Sequence, residues 1–288
     1  MFANEKVKIK IKALSALIIA AVLWSTSGLF VKLISWNPVA IAGARSLVSV
    51  IFLFALKRRR FRFNRSLAQL GGAVSYAAVM IFFVVANKMT TSANAILLQY
   101  TAPIYVAVFG AWFLKEKTSL RDWVTVCFVL TGMVLFFVDE LSPGRLLGNI
   151  FAAASGAAFA CTTLFMRVQK DSSTLESLLL GNIITALAGL PFYFQSVPGL
   201  KSILFIIIAG ILQVSLAYLL YGFALRYVTA LEGVLVTMLE PILNPIWVLV
   251  FVGETPGIMA LLGGAIVLTS VTACSVLNVI RPVNKEKN

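Results

Sequence analysis

Ten apolar stretches of about 20 residues each run through the chain with only short polar breaks between them, and a helix of that length crosses the hydrocarbon core of a bilayer. They fall near 13–34, 38–56, 67–87, 91–114, 121–138, 147–167, 174–195, 201–225, 229–252 and 257–279. Hydrophobic residues make up 60% of the 288 and charged residues 12%, a balance that one water-facing domain does not carry. The spans predict an all-α integral membrane protein with ten transmembrane helices. Asn37-Pro38 and Thr255-Pro256 read as helix starts, an N-cap donor trap followed by proline in the first turn.

The charge of +13 sits at span ends rather than on one face, which argues against nucleic acid as a partner. Lys6, Lys8, Lys10 and Lys12 precede a first span with no convincing cleavage site, so it reads as retained. With the N-terminus inside, nineteen lysines and arginines lie inside, including the run Lys57 to Arg65, and three outside: Lys88, Arg145 and Lys201. That asymmetry predicts an inner-membrane protein with both termini cytoplasmic. Lys32, Lys88, Arg167 and Arg226 lie near interfaces, where long side chains reach water. The chain has no histidine, which removes imidazole catalysis and ligation. Cys127, Cys161 and Cys274 lie in apolar runs and suggest neither a disulfide nor a metal site. No phosphate-binding loop is present, and no cofactor is expected.

Ala86 to Glu116 aligns without gaps on Ala224 to Glu254, an offset of 138, with Thr91/Thr229, Pro103/Pro241 and Glu116/Glu254 among the identical pairs. Phe30 and Lys32 similarly meet Phe165 and Arg167 at an offset of 135. Two halves of five spans each, 1–140 and 141–288, must enter the membrane in opposite directions, because five is odd. Inverted repeats of this kind recur in secondary transporters, where two similar halves allow two states of similar energy.

The residues at these positions carry a more specific likeness. The first span reads Leu23-Trp24-Ser25-Thr26-Ser27, and the fourth opens Ala95-Ile96-Leu97-Leu98-Gln99-Tyr100-Thr101-Ala102-Pro103-Ile104 and closes on Glu116. The ninth reads Leu239-Glu240-Pro241-Ile242 and ends Gly253-Glu254. Over essentially its whole length the chain resembles the drug/metabolite transporter superfamily, EamA type. The resemblance implies two inverted five-helix repeats around a central cavity, alternating access, and export of amino acids, other metabolites or toxic organics.

Glu240 is the first candidate for the work. An acid near the middle of the ninth span is costly unless neutralised, paired or hydrated; it either exchanges a coupling proton or holds a cationic group, or it is protonated and only packs. Thr237, Asn244 and Trp247 share its helical face, and Pro241 and Pro245 free carbonyls one turn back, making a gate or a static kink. Glu232 is a relay carboxylate or an interfacial one. Arg45, eight residues into the second span, is too deep to snorkel easily and needs an anion: Glu240, Glu232 or a substrate carboxylate. Trp24, Gln99, Tyr100 and Tyr218 are the polar-tipped and amide groups deepest in their spans, suited to an amphipathic ligand; Tyr76, Asn87, Asn182, Gln213 and Tyr221 also fall within spans. Pro103 mirrors Pro241. Small residues such as Thr131-Gly132 and Gly263-Gly264 suggest close packing or a homodimer face. The residues thus favour a secondary transporter of a small molecule, with proton exchange as one route of coupling, over an integral membrane enzyme or a non-transporting scaffold or receptor.

Overall fold

The computed structural model describes residues 2–56, 61, 63–64, 66–138, 146–171, 174–243 and 257–280. Among them are nine helices long and apolar enough to span a membrane: Val7–Leu33, Pro38–Leu56, Leu67–Met89, Asn94–Phe113, Leu120–Phe137, Leu146–Val168, Leu175–Tyr193, Leu200–Ala224 and Ile258–Ile280. The remaining span, ninth in chain order, starts as Ala230–Thr237, turns at Met238 and Leu239, and is helical again from 240 to 243. Asn244, Pro245, Trp247, Gly253, Glu254, Thr255 and Pro256 lie outside the described residues.

Local chemistry accounts for the helix ends. Asn37 Oδ1 accepts from the amides of Val39 at 2.9 Å and Ala40 at 3.3 Å, capping the second span as its sequence predicts. Ser119 and Asp122 form a reciprocal capping box at the start of the fifth. The helix of the first span starts at Phe2, well before the apolar run, and its lysines extend along it. Lys10 Nζ reaches the Asn278 carbonyl at 2.9 Å and Glu232 Oε1 at 3.4 Å.

Two inverted five-helix repeats surround a central cavity. The second span packs on the seventh, the fourth on the ninth and the fifth on the tenth. Off those three pairs, the third packs on the sixth and seventh, and the eighth packs on the first and second. The sixth meets the fourth as the first meets the ninth. Exchanging each span for its counterpart five positions along the chain returns the same set of principal pairs, which is what a two-fold axis in the membrane plane requires. Local details obey the same exchange. Thr91 Oγ1 accepts from Asn94 N, and 138 residues later Thr229 Oγ1 accepts from Glu232 N. Both helices then break at equivalent points, with Thr101 N bonded to Leu98 O at 3.3 Å and Leu239 N to Val236 O at 3.2 Å.

Helices in lipid gain nothing from apolar burial against each other, so close van der Waals approach holds them. Gly132 and Gly263 serve this between the fifth and tenth spans: a Cβ on Gly263 would fall within 2.4 Å of Gly132 O and of Phe136 N. These small residues are therefore occupied within one chain. Gly263→Leu should separate the two helices and lower the thermal midpoint by several degrees, while the elution volume in detergent stays that of wild type. Unchanged melting would show that the pair contributes nothing to the fold.

Candidate functional site

Broken helices dominate the centre of the molecule, and each break exposes backbone that the membrane cannot hydrate. Pro241 has no N–H, so the carbonyl of Thr237 one turn back loses its helical donor. Tyr100 supplies the substitute: its hydroxyl lies 3.2 Å from Thr237 O and 2.5 Å from Glu240 Oε2. Tyr100 itself stands at the break of the fourth span, between Ser92–Gln99 and Ala102–Phe113, where Pro103 removes the donor for Gln99 O. Gly156 of the sixth span presses against that break; a Cβ there would come within 2.7 Å of Gln99 O.

The eighth span interrupts its α-geometry differently, with a π-helix over Gly210–Leu216, a distortion common at functional sites. The carbonyl of Gln213 accepts from Trp24 Nε1 at 2.9 Å and that of Val214 from the Tyr76 hydroxyl at 3.3 Å. Gly210 opens this segment to the second span, since a Cβ would meet Arg45 O at 2.7 Å. Arg45 is 5% exposed. Its Nη2 donates to Gln213 Oε1 at 3.2 Å, and its Nε has no acceptor among the described residues.

These elements enclose one cavity of about 50 Å³ lined by Trp24, Ser27, Arg45, Val79, Met80, Phe83, Gln99, Tyr100, Phe159, Gln213, Tyr218 and Glu240. That volume holds a few waters and is well below the several hundred Å³ that a drug-sized ligand fills. Trp24 packs edge-on to Tyr218 with centroids 4.8 Å apart and to Phe159 at 6.1 Å, so one wall is aromatic while Arg45, Gln213, Gln99 and Glu240 supply polarity.

The structure brings Glu240, Arg45, Trp24, Gln99, Tyr100 and Tyr218 to this one cavity. Pro103 and Pro241 are buried beside it at the two breaks. Asn244, Pro245 and Trp247 lie outside the described residues. Other expectations are corrected. Arg45 pairs with neither Glu240 nor Glu232; its contact is the Gln213 amide oxygen. Glu232 is buried but away from the cavity, against Lys10. The helix of the ninth span ends at Thr237, whose hydroxyl turns back to Val234 O at 2.9 Å, so Thr237 and Glu240 share no continuous stripe. Val79, Met80, Phe83 and Phe159 carry no polar signal in the sequence; Ser27 appears there only within the first-span motif and Gln213 only as an amide within a span.

Arg167 also departs from expectation. It does not snorkel: its Nε donates to Glu116 Oε1 at 2.6 Å and its Nη1 to Leu225 O at 2.8 Å and Arg226 O at 3.1 Å. The other carboxylate oxygen of Glu116 accepts from Ala230 N at 3.0 Å, at the positive end of the ninth span's first helix. Lys115, in the left-handed region at φ 56°, turns the chain so that Glu116 reaches back. The ends of spans four, six and eight and the start of span nine are thereby tied together on the side where Lys10 lies.

A model of the EamA-like transporter family matches residues 11–138 and again 146–276. The chain belongs to the EamA-like transporter family, within the drug/metabolite transporter superfamily, and is a multi-pass membrane transporter. An uncharacterised transporter of Archaeoglobus fulgidus is 24% identical over 260 residues, covering 89% of this chain and 94% of that one. An uncharacterised transporter of Bacillus subtilis, YwfM, is 24% identical over 277 residues. Human solute carrier family 35 member G1 is 27% identical over 166 residues, 51% of this chain and 45% of its own. A crystal structure 18% identical in sequence superposes with a TM-score of 0.79 over 92% of this chain and 98% of its own, which shows the fold.

The Glu116 and Arg167 side chains are 11% and 9% exposed, so their pairing is barely screened by water. Removing one partner of a buried pair costs about 3–5 kcal/mol; Glu116→Gln, which keeps a hydrogen-bonding oxygen, should cost about 2 kcal/mol on the same scale. A double-mutant cycle with Arg167→Met in SDS unfolding should give a coupling energy above about 1 kcal/mol. Additive losses would mean that the two side chains stabilise the helix ends independently.

Proposed function

We propose that the chain is a secondary active exporter of small organic solutes in the cell membrane, both termini cytoplasmic, that works by alternating access with Glu240 carrying the coupling proton. The hydroxyl of Tyr100 is the observation that carries this reading. It has one proton and two acceptors in reach, Thr237 O and Glu240 Oε2. When Glu240 is protonated, its own O–H donates to the Tyr100 oxygen and Tyr100 donates to Thr237 O, so all three groups are satisfied. When Glu240 is ionised, Tyr100 turns its proton to the carboxylate, and Thr237 O is left without a donor at the Pro241 break. The charge state of one carboxyl is thus tied to the hydrogen bonding of the hinge beside it.

Orientation follows from the asymmetry of lysine and arginine between the two faces. The closure at Glu116 and Arg167 then lies on the cytoplasmic face, and the small cavity must open for any solute to enter. Rocking of the two repeats would open it on one face while closing the other. Export rather than uptake rests on the family resemblance, and the energy source on Glu240.

Purified protein in liposomes should move at least one labelled compound from a panel of amino acids, polyamines, nucleosides, sugars and organic cations. An imposed pH gradient should drive its accumulation. Glu240→Gln fixes the neutral form; the variant should lose gradient-driven accumulation, and a solute without a cationic group should keep exchange at zero gradient. Accumulation at the wild-type rate in that variant would remove Glu240 from coupling.

A further inference from the structure

The inference concerns what the cavity takes and rests on the transport reading above. A guanidinium at Arg45 is buried inside a membrane span, where an uncompensated charge is among the costliest groups a protein can carry. Among the described residues no carboxylate is within salt-bridge distance of it, and its only side-chain partner is a neutral amide. Glu240, the one acid on the cavity wall, is engaged by Tyr100 instead.

The amide of Gln213 is held for this purpose. Its Nε2 donates to Thr26 Oγ1 at 2.9 Å, and the Thr26 hydroxyl proton in turn points to Leu23 O at 3.2 Å. Since Thr26 Oγ1 is left as the acceptor, the amide cannot flip without losing a bond, and its Oε1 must face Arg45. Leu23 O is available because the first span breaks after Trp24. A broken helix, a threonine and an amide therefore orient a guanidinium and satisfy one of its nitrogens, while Nε remains without an acceptor among the described residues. Arginine presents parallel N–H groups whose spacing matches the two oxygens of a carboxylate.

We propose that Arg45 binds a carboxylate of the transported solute, whose apolar body lies on the aromatic wall formed by Trp24, Tyr218 and Phe159. The bound carboxylate neutralises Arg45. Once the cavity has opened to admit it, an organic anion leaves the site without net charge when Glu240 is protonated; an amino acid does so when Glu240 is ionised, its ammonium facing Glu240. Either solute carries the group that Arg45 requires.

The test compares matched compounds on the detergent-purified full chain by thermal shift, where a ligand stabilises by RT ln(1 + [L]/Kd). Phenylacetate and phenylalanine represent the acid and the amino acid; phenylacetamide and phenethylamine lack the carboxylate. At least one of the two carboxylates should stabilise the protein, with the amide and the amine at least about tenfold weaker. Arg45→Gln should abolish the preference, and Arg45→Lys, which keeps a cation, should weaken binding while keeping carboxylate ahead of amide. Phenylacetate alone as the hit assigns an organic anion, phenylalanine alone an amino acid, and both support the site. Equal binding of amide and acid to wild type overturns the proposal even if the Arg45 variants do not fold, as does the absence of any carboxylate effect. Carboxylate binding without flux in liposomes would leave the site and remove the transport reading; flux of compounds lacking a carboxylate would do the reverse.

Discussion

A carbonyl without a donor costs several kcal/mol in a bilayer core, and the centre of this molecule is arranged around carbonyls that its own sequence has stripped of donors. Pro103 and Pro241 remove an amide at equivalent points of the two repeats, and the π-turn in the eighth span displaces the bonding there. At the Pro241 break the vacancy is filled from another helix, where Tyr100 reaches Thr237 O, and at the π-turn Trp24 reaches Gln213 O and Tyr76 reaches Val214 O. Two of these side chains, Tyr100 and Trp24, also line the cavity. On the transport reading this couples the cavity to the helix geometry, because a solute that competes for Tyr100 or Trp24 also competes for a helix break.

The two ends of the molecule use related positions with different residues. On the side where Lys10 lies, Arg167 has a carboxylate and two carbonyls, and Glu116 adds a bond to the first amide of the ninth span. At the repeat-related position on the other side, among the described residues, Lys32 reaches Thr90 O at 3.4 Å and Lys88 donates to Ile34 O at 2.7 Å; Glu254, the repeat mate of Glu116, lies outside the described residues. An arginine fork can hold several acceptors at once and an ammonium is a compact, strongly hydrated charge, so lysine in place of arginine across the repeat gives the two ends different chemistry.

Much of this was legible in the residues. Span number and placement follow from runs too long for anything but a bilayer, and the second span's cap follows from Asn37-Pro38. Six cavity residues were identifiable because polarity deep inside an apolar run is expensive and so informative. The apolar part of the wall was not: Phe159, Met80 and Val79 have the composition of lipid-facing positions, and which way a helix faces is set by its neighbours. The partner of Arg45 was misread because charge was matched to charge, whereas Gln213 becomes adjacent only through the π-turn and Gly210. Arg167 was misread because Glu116 is 51 residues away in sequence. The Thr237 to Glu240 stripe assumed one helix where a turn intervenes, although Pro241 contained the warning.

The principal packing pairs also constrain which contacts can change. Second on seventh, fourth on ninth and fifth on tenth are each their own symmetry mate, so exchanging the halves leaves them as contacts. Third on sixth and eighth on first are mates of each other and need not be equal at a given moment. They differ here: Gly71 and Gly72 of the third span let it press onto Phe165 and Gln169, where a Cβ on Gly71 would fall within 2.5 Å of the Phe165 ring. The eighth meets the first through the Trp24 indole and the aromatic cluster beside it. On the transport reading, opening the tied end must loosen the third span from the sixth and draw the eighth closer to the first. Trp24 sits between those helices, so its environment must change in every cycle, and Arg45 and Gln213 must move with it because Trp24 is bonded to the same π-turn that orients them.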